Sequence, residues 1–258
     1  MSALQLKEFA KRASMAYSLS TSLKREKKGL DISRNSANRQ ILENTLLEAT
    51  LISNTLPSDS ESSAVDYAAA VTELARAYAL HHEVDIVEQL FHKLPKNPKC
   101  MELDYIISQM AYLLADLSIK KGLIDKAGFI YRDYFPLKSS LGSELIRLDL
   151  AVLLVESYLE KDLLSRAKDL FFSYFQNDEI QFFCPVPNTQ EKYAREEFSR
   201  ILAKIAKSLF EYAQKDNNHD TIVEIEQQLE KCSETSIILE LRLNNFRSLE
   251  KKIIGKGN

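Results

Sequence analysis

Apolar positions recur along this chain at steps of three and four, the spacing that lines one face of a helix. Leu6, Phe9, Ala10, Ala13, Ala16 and Tyr17 form such a stripe and predict a first helix over about residues 3–20. Ile41, Leu42, Leu46, Ala49, Ile52 and Leu56 predict a second, from about Asn35 to Thr55. Between them lie Lys24, Arg25, Glu26, Lys27 and Lys28 before Gly29, a basic run holding one acid and no aromatic, which reads as a solvated loop. Residues 57–63, PSDSESS, are turn formers, and Ser63 followed by Asp66 three positions later predicts the start of the next helix.

Three windows then repeat. VTELARAYALHHEVDIVEQLFHKL from Val71, AYLLADLSIKKGLIDKAGFIYRDY from Ala111 and AVLLVESYLEKDLLSRAKDLFFSY from Ala151 align without a gap at offsets of 40 and 40. Each reads as helix, tight turn, helix, with the turn at His82, Gly122 or Asp162. The first helix of each window sets Leu74, Ala75 and Tyr78, then Leu114, Ala115 and Ser118, then Leu154, Val155 and Tyr158 on one face. The second sets a short residue and an aromatic four later: Val87 and Phe91, Ala127 and Tyr131, Ala167 and Phe171. A small residue on one helix lets the neighbouring backbone approach, and the aromatic fills the space beside it.

Beyond the windows the rhythm breaks at QNDEIQFFCPVPNTQ, where Pro185 and Pro187 forbid a continuous helix. Ile180, Phe182, Phe183 and Val186 are too apolar for an idle loop, and Phe182 and Phe183 are a secondary contact candidate. Asn188 with Glu191 predicts a new start, and Phe198, Ile201, Leu202, Ile205, Leu209 and Tyr212 line a long helix to about Gln214. KDNNHD at 215–220 is a turn. A weaker helix with Ile222, Ile225, Leu229 and Cys232 follows, and a last one runs from about Thr235 to Ile253.

Six Gly and six Pro against 45% hydrophobic residues leave few breakers, which supports an all-α chain. A chain of 258 residues buries roughly three quarters of the surface it exposes unfolded, so core size is no obstacle. The net charge of −3, with bases spread along the chain, gives no footprint for nucleic acid. Cys100, Cys184 and Cys232 are odd in number and 84 and 48 residues apart, which fits neither a disulfide framework nor a zinc site. They read as reduced thiols in a cytoplasmic protein. No apolar leader opens the chain and no uncharged run approaches twenty residues, so no integral membrane segment is expected.

The search for chemistry returns little. His81 and His82 are adjacent and diverge by about 100° on a helix end, and His92 belongs to the next helix. Glu156 and Glu160 lie one turn apart with no Glu-x-x-His beside them. Cys184 sits behind two phenylalanines, a setting for a small hydrophobe rather than a nucleophile. No phosphate loop, nucleophile elbow or His-Glu-x-x-His occurs. The reading is of a chain without catalytic, metal or cofactor residues.

The windows resemble the tetratricopeptide repeat, with its Leu-Gly, Tyr, Ala and Phe positions, over residues 64–176. They depart from it at the tryptophan position (Val71, Ala111, Ala151), at the glycine position (Ala75, Ala115, Val155) and at Ser118. The period also exceeds that family's 34 or so residues. The resemblance implies one domain over 1–258, a right-handed α-solenoid of antiparallel helix pairs with about 10–11 helices. Its parts are an N-terminal pair (1–56), three repeats (64–176), an insertion (177–190) and capping helices (191–254). It also implies a concave groove lined by the first helices, at Thr72, Arg76, Gln109, Tyr112, Asp116, Asp149, Val152 and Glu156. The function then expected is an adaptor or chaperone-like scaffold holding a protein or peptide partner, with self-association into a homodimer or an unrecognised small-molecule pocket as alternatives.

Overall fold

The computed structural model describes residues 3–25, 32–55, 61–95, 100–134, 141–176 and 189–233. Among them it is all-α, with ten helices: α1 Ala3–Arg25, α2 Ile32–Thr55, α3 Glu61–Leu80, α4 Val84–Phe91, α5 Met101–Lys120, α6 Ile124–Tyr134, α7 Leu141–Glu160, α8 Leu164–Gln176, α9 Thr189–Lys215 and α10 His219–Ser233. The helix expected at 235–253, the insertion carrying Phe182, Phe183 and Cys184, and Asn188 lie outside the described residues. No described helix is long and apolar enough to cross a membrane. α3 begins at Glu61, not near Ser63, so Ser63 and Asp66 sit inside its first two turns. Glu61 in the first turn places an acid against the free N–H groups and the positive end of the helix dipole there.

Two compact units make up the chain, Met1–Ile146 and Arg147–Asn258, with the boundary inside α7. In the first, α1 packs on α2 and α3, α3 on α4 and α5, and α5 on α6. In the second, α9 packs on α8 and α10.

Four helices end in one and the same turn. His82, Gly122, Asp162 and Asn217 adopt φ of 61, 76, 55 and 52°. The next residue's N–H then reaches back five positions: Glu83 to the Tyr78 carbonyl at 3.2 Å, Leu123 to Ser118 at 2.8 Å, Leu163 to Tyr158 at 2.8 Å and Asn218 to Ala213 at 2.9 Å. This is the Schellman closure, which satisfies carbonyls that a helix end leaves free and starts the following helix within three residues. The first three turns are 40 residues apart.

Around these turns the small and aromatic positions go inside. Leu74, Ala75, Tyr78, Val87 and Phe91 are buried, as are Leu114, Ala115, Ser118 and Ala127. In the second unit Leu154, Val155, Tyr158, Ala167 and Phe171 are buried with Ile201, Leu202, Ile205 and Leu209 of α9. Tyr131 is only half-buried. Ser118 is tolerated in a core because its hydroxyl donates to the Leu114 carbonyl at 2.7 Å.

Tyr78 has no such outlet. Its hydroxyl is buried without a hydrogen-bond partner among the described residues, and burial first, then the Glu43 and Glu83 carboxylates, push its pKa up to about 12. An unmatched buried hydroxyl costs about 1–3 kcal/mol. Tyr78→Phe is therefore expected to raise the urea midpoint, by about 1 kcal/mol of stability. A lowered midpoint would mean that the hydroxyl is satisfied after all.

Candidate functional site

Along one face of α3, Ser62, Asp66, Ala69, Glu73 and Arg76 follow one another at steps of four, three, four and three. All are small or polar, so this face does not close against the helices beside it. Lys7 and Ala10 of α1 form one wall and Ile106 and Gln109 of α5 the other, and together they enclose a groove of about 640 Å³. That volume falls within the range of ligand sites, roughly 300–1,000 Å³. The space stays open because Ala10 in the wall and Ala69 on the floor carry only a methyl group where longer side chains would fill it.

The polar groups are of two kinds. Arg76 is held, ion-paired to Glu73 on its own helix and donating through Nη2 to the Gln109 Oε1 at 3.1 Å. This bridge ties α3 to α5 across the groove. Lys7 and Asp66, in contrast, have no ion-pair or hydrogen-bond partner among the described residues, so a base on one wall and an acid near the floor face the groove uncompensated. What the arrangement offers is recognition: an apolar strip, a fixed guanidinium and amide, and two open charges of opposite sign.

Of the eight residues expected to line a groove, Thr72, Arg76 and Gln109 do so here. Thr72 is 3% exposed and its hydroxyl donates to the Ala68 carbonyl at 2.8 Å, leaving no donor for a partner. Tyr112 and Asp116 lie further along α5, where Asp116 pairs with Lys120 at 2.5 Å. The other three belong to the second unit. Val152 is 4% exposed and packs in that unit's interior, so it presents nothing to a partner. Asp149 is exposed. Its carboxyl is raised above the usual range, first by desolvation and then by Glu197, against the opposing pull of Arg200 and Lys204. Glu156 lies 3.6 Å from Lys204 of α9.

His81 and His82 occupy the turn after α3, and His81 Nε2 lies 3.3 Å from the Ser20 hydroxyl. Among the described residues no three His, Cys, Asp or Glu side chains gather around a point where a metal ion would sit. The chain matches no protein-family model, no curated protein and no solved structure.

Proposed function

We propose that the protein is a non-enzymatic interaction module, a divergent tetratricopeptide-like α-solenoid of right-handed, antiparallel helix pairs working in the cytoplasm as a scaffold or adaptor. In this reading the groove along α3 receives a segment of a protein or peptide partner. The observation that carries it is the groove itself: an apolar strip flanked by the unpaired Lys7 and Asp66 and the bridged Arg76 and Gln109. The turns at His82, Gly122 and Asp162, 40 residues apart, support the repeat.

Magnitudes favour an extended segment over a helix. From Ser62 to Arg76 the stripe is about 21 Å long at 1.5 Å per residue. An extended chain covers that length in about six residues. A helix roughly 10 Å across would lie over the open mouth with only one of its faces between the walls. The preferred segment has an apolar residue over Ala69, an acid toward Lys7 and a base toward Asp66.

Selection of peptides from a random library on the intact protein tests this. Wild type should enrich short segments carrying both charges, and Ala69→Trp, which fills the floor from an exposed position, should weaken the best of them by about tenfold or more. Affinity unchanged by Ala69→Trp would remove the groove from consideration.

A further inference from the structure

Among the described residues, α1 and α2 of the first unit carry large apolar side chains that stay exposed. On α1 the residues at 4, 8, 11 and 15 share one side of the helix and are all exposed. They are Leu4, Glu8, Lys11 and Met15, with Leu4 69% and Met15 53% exposed. They point away from the stripe of Leu6, Phe9, Ala13 and Ala16 that is buried. On α2, Leu47 and Leu51 are 66% and 68% exposed.

The ion pair between Arg12 and Glu48 joins these two sets of residues. Met15 is one turn from Arg12, and Leu47 and Leu51 lie within one turn of Glu48. At about 100 Å² of open apolar surface each, the four large side chains leave about 400 Å² exposed in all, within the range of the largest and often functional patches on soluble proteins. A polar rim comes with it.

The order along α1 identifies the occupant. Apolar, acid, base, apolar at 4, 8, 11 and 15 has steps of four, three and four, so it reads with the same spacing from either end, with the charges exchanged. Two copies of α1 laid antiparallel about a two-fold axis between Phe9 and Ala10 place Leu4 against the partner's Met15 and Glu8 against the partner's Lys11, twice over. An isologous interface requires this self-complementarity, in which residue i meets j and j meets i. Glu8 and Lys11 are exposed and make no ion pair within the chain among the described residues, although the Glu8 carboxylate also acts on the Arg12 guanidinium one turn further along α1. The pairing adds Leu47 and Leu51 from each copy at the flanks, and the apolar area doubles to about 800 Å²; the polar rim has to supply the rest of the roughly 1,200 Å² at which standard interfaces begin.

We propose that the exposed face of α1 and α2 is a homodimer interface in which α1 pairs antiparallel with α1 of a second copy, in the register Leu4 to Met15 and Glu8 to Lys11. This surface is separate from the groove along α3 and does not depend on what the groove binds.

Charge exchange within the intact chain tests the register. By light scattering across the micromolar range, wild type should show twice the 29.5 kDa chain mass. Glu8→Lys sets two bases opposite one another and Lys11→Glu two acids, so each single variant should run at the single-chain mass, its dissociation constant raised at least tenfold. The double exchange Glu8→Lys with Lys11→Glu restores opposite charges and should dimerise again. Both positions are solvent-exposed on α1, and matched helicity and melting show that the fold is kept. A wild type that stays at the single-chain mass overturns the proposal. Single variants that dimerise like wild type, or a double exchange that stays monomeric, overturn the register on which it rests.

Discussion

Truncating Phe9 to Ala should cost the first unit about 3–5 kcal/mol, the range for removing a fully buried aromatic side chain. Phe9 is wholly buried, and its ring lies 6.1 Å from that of Tyr67 at an interplanar angle of 26°. Tyr67 in turn donates its hydroxyl to the Ala49 carbonyl at 3.1 Å, so α1, α3 and α2 meet at these two rings. Burial pushes the Tyr67 pKa up to about 12, so the phenol remains a neutral donor through the physiological range. Urea unfolding measures the loss as a lower midpoint. Phe9→Leu, which refills most of the volume, should cost about a third as much. The double variant with Tyr67→Ala should fall short of the sum of the singles by about 0.5–1.5 kcal/mol, the range for an aromatic pair. Because α1 supplies both a groove wall and the proposed dimer stripe, Phe9→Ala should weaken both. Full additivity of the two truncations would show that the rings do not act together.

The same stripe shows how far the sequence carries. Of its six residues at helical spacing, Leu6, Phe9, Ala13 and Ala16 are buried in the structure, while Ala10 and Tyr17 are half-buried. Periodicity of this kind survives into the fold because it reports the face that must leave water. The ends of helices were less legible. α1 runs on to Arg25 and α3 begins at Glu61, because a helix continues through polar residues of adequate propensity as long as nothing stops it.

The groove was legible in part. Arg76 of α3 and Gln109 of α5, both expected at a groove, meet. The wall made by Lys7 and Ala10 was not anticipated, because α1 lies before the repeating windows and no register carried a groove position onto it. One signal was present: Ala10, counted in the apolar stripe of α1, carries only a methyl group and stands beside Lys7 and Ser14 at steps of three and four. Val152 failed for the opposite reason. Leu148, Ala151, Val152 and Val155 follow the core spacing i, i+3, i+4, i+7, and that local pattern outweighs a position assigned by family resemblance. The structure places Val152 where hydrophobicity puts it.

Changing the residue at the turn should give three different signs in three registers of the same closure. Gly122 holds a φ of 76°, and a Cβ built on it meets nothing within 4 Å. Space is therefore no constraint there, and the backbone alone decides. Gly122→Val forces a β-branched residue into the left-handed region and should destabilise by about 2 kcal/mol. His82 already occupies that region at 61°, and among the described residues its side chain has no hydrogen bond to lose. Relief of about 1–2 kcal/mol of left-handed strain, less about 0.5–1 kcal/mol for the extra freedom that glycine gives the unfolded chain, leaves His82→Gly stabilising by about 0.5 kcal/mol. Asp162, at 55°, also accepts a hydrogen bond from the Tyr212 hydroxyl at 2.8 Å. Losing that exposed contact should offset the gain, so Asp162→Gly should be close to neutral. Urea midpoints of the three variants distinguish backbone strain from side-chain contacts as the cause. A stable Gly122→Val would mean that the turn closes in some other way than the bonds from Gly122 and Leu123 to Ile119 and Ser118.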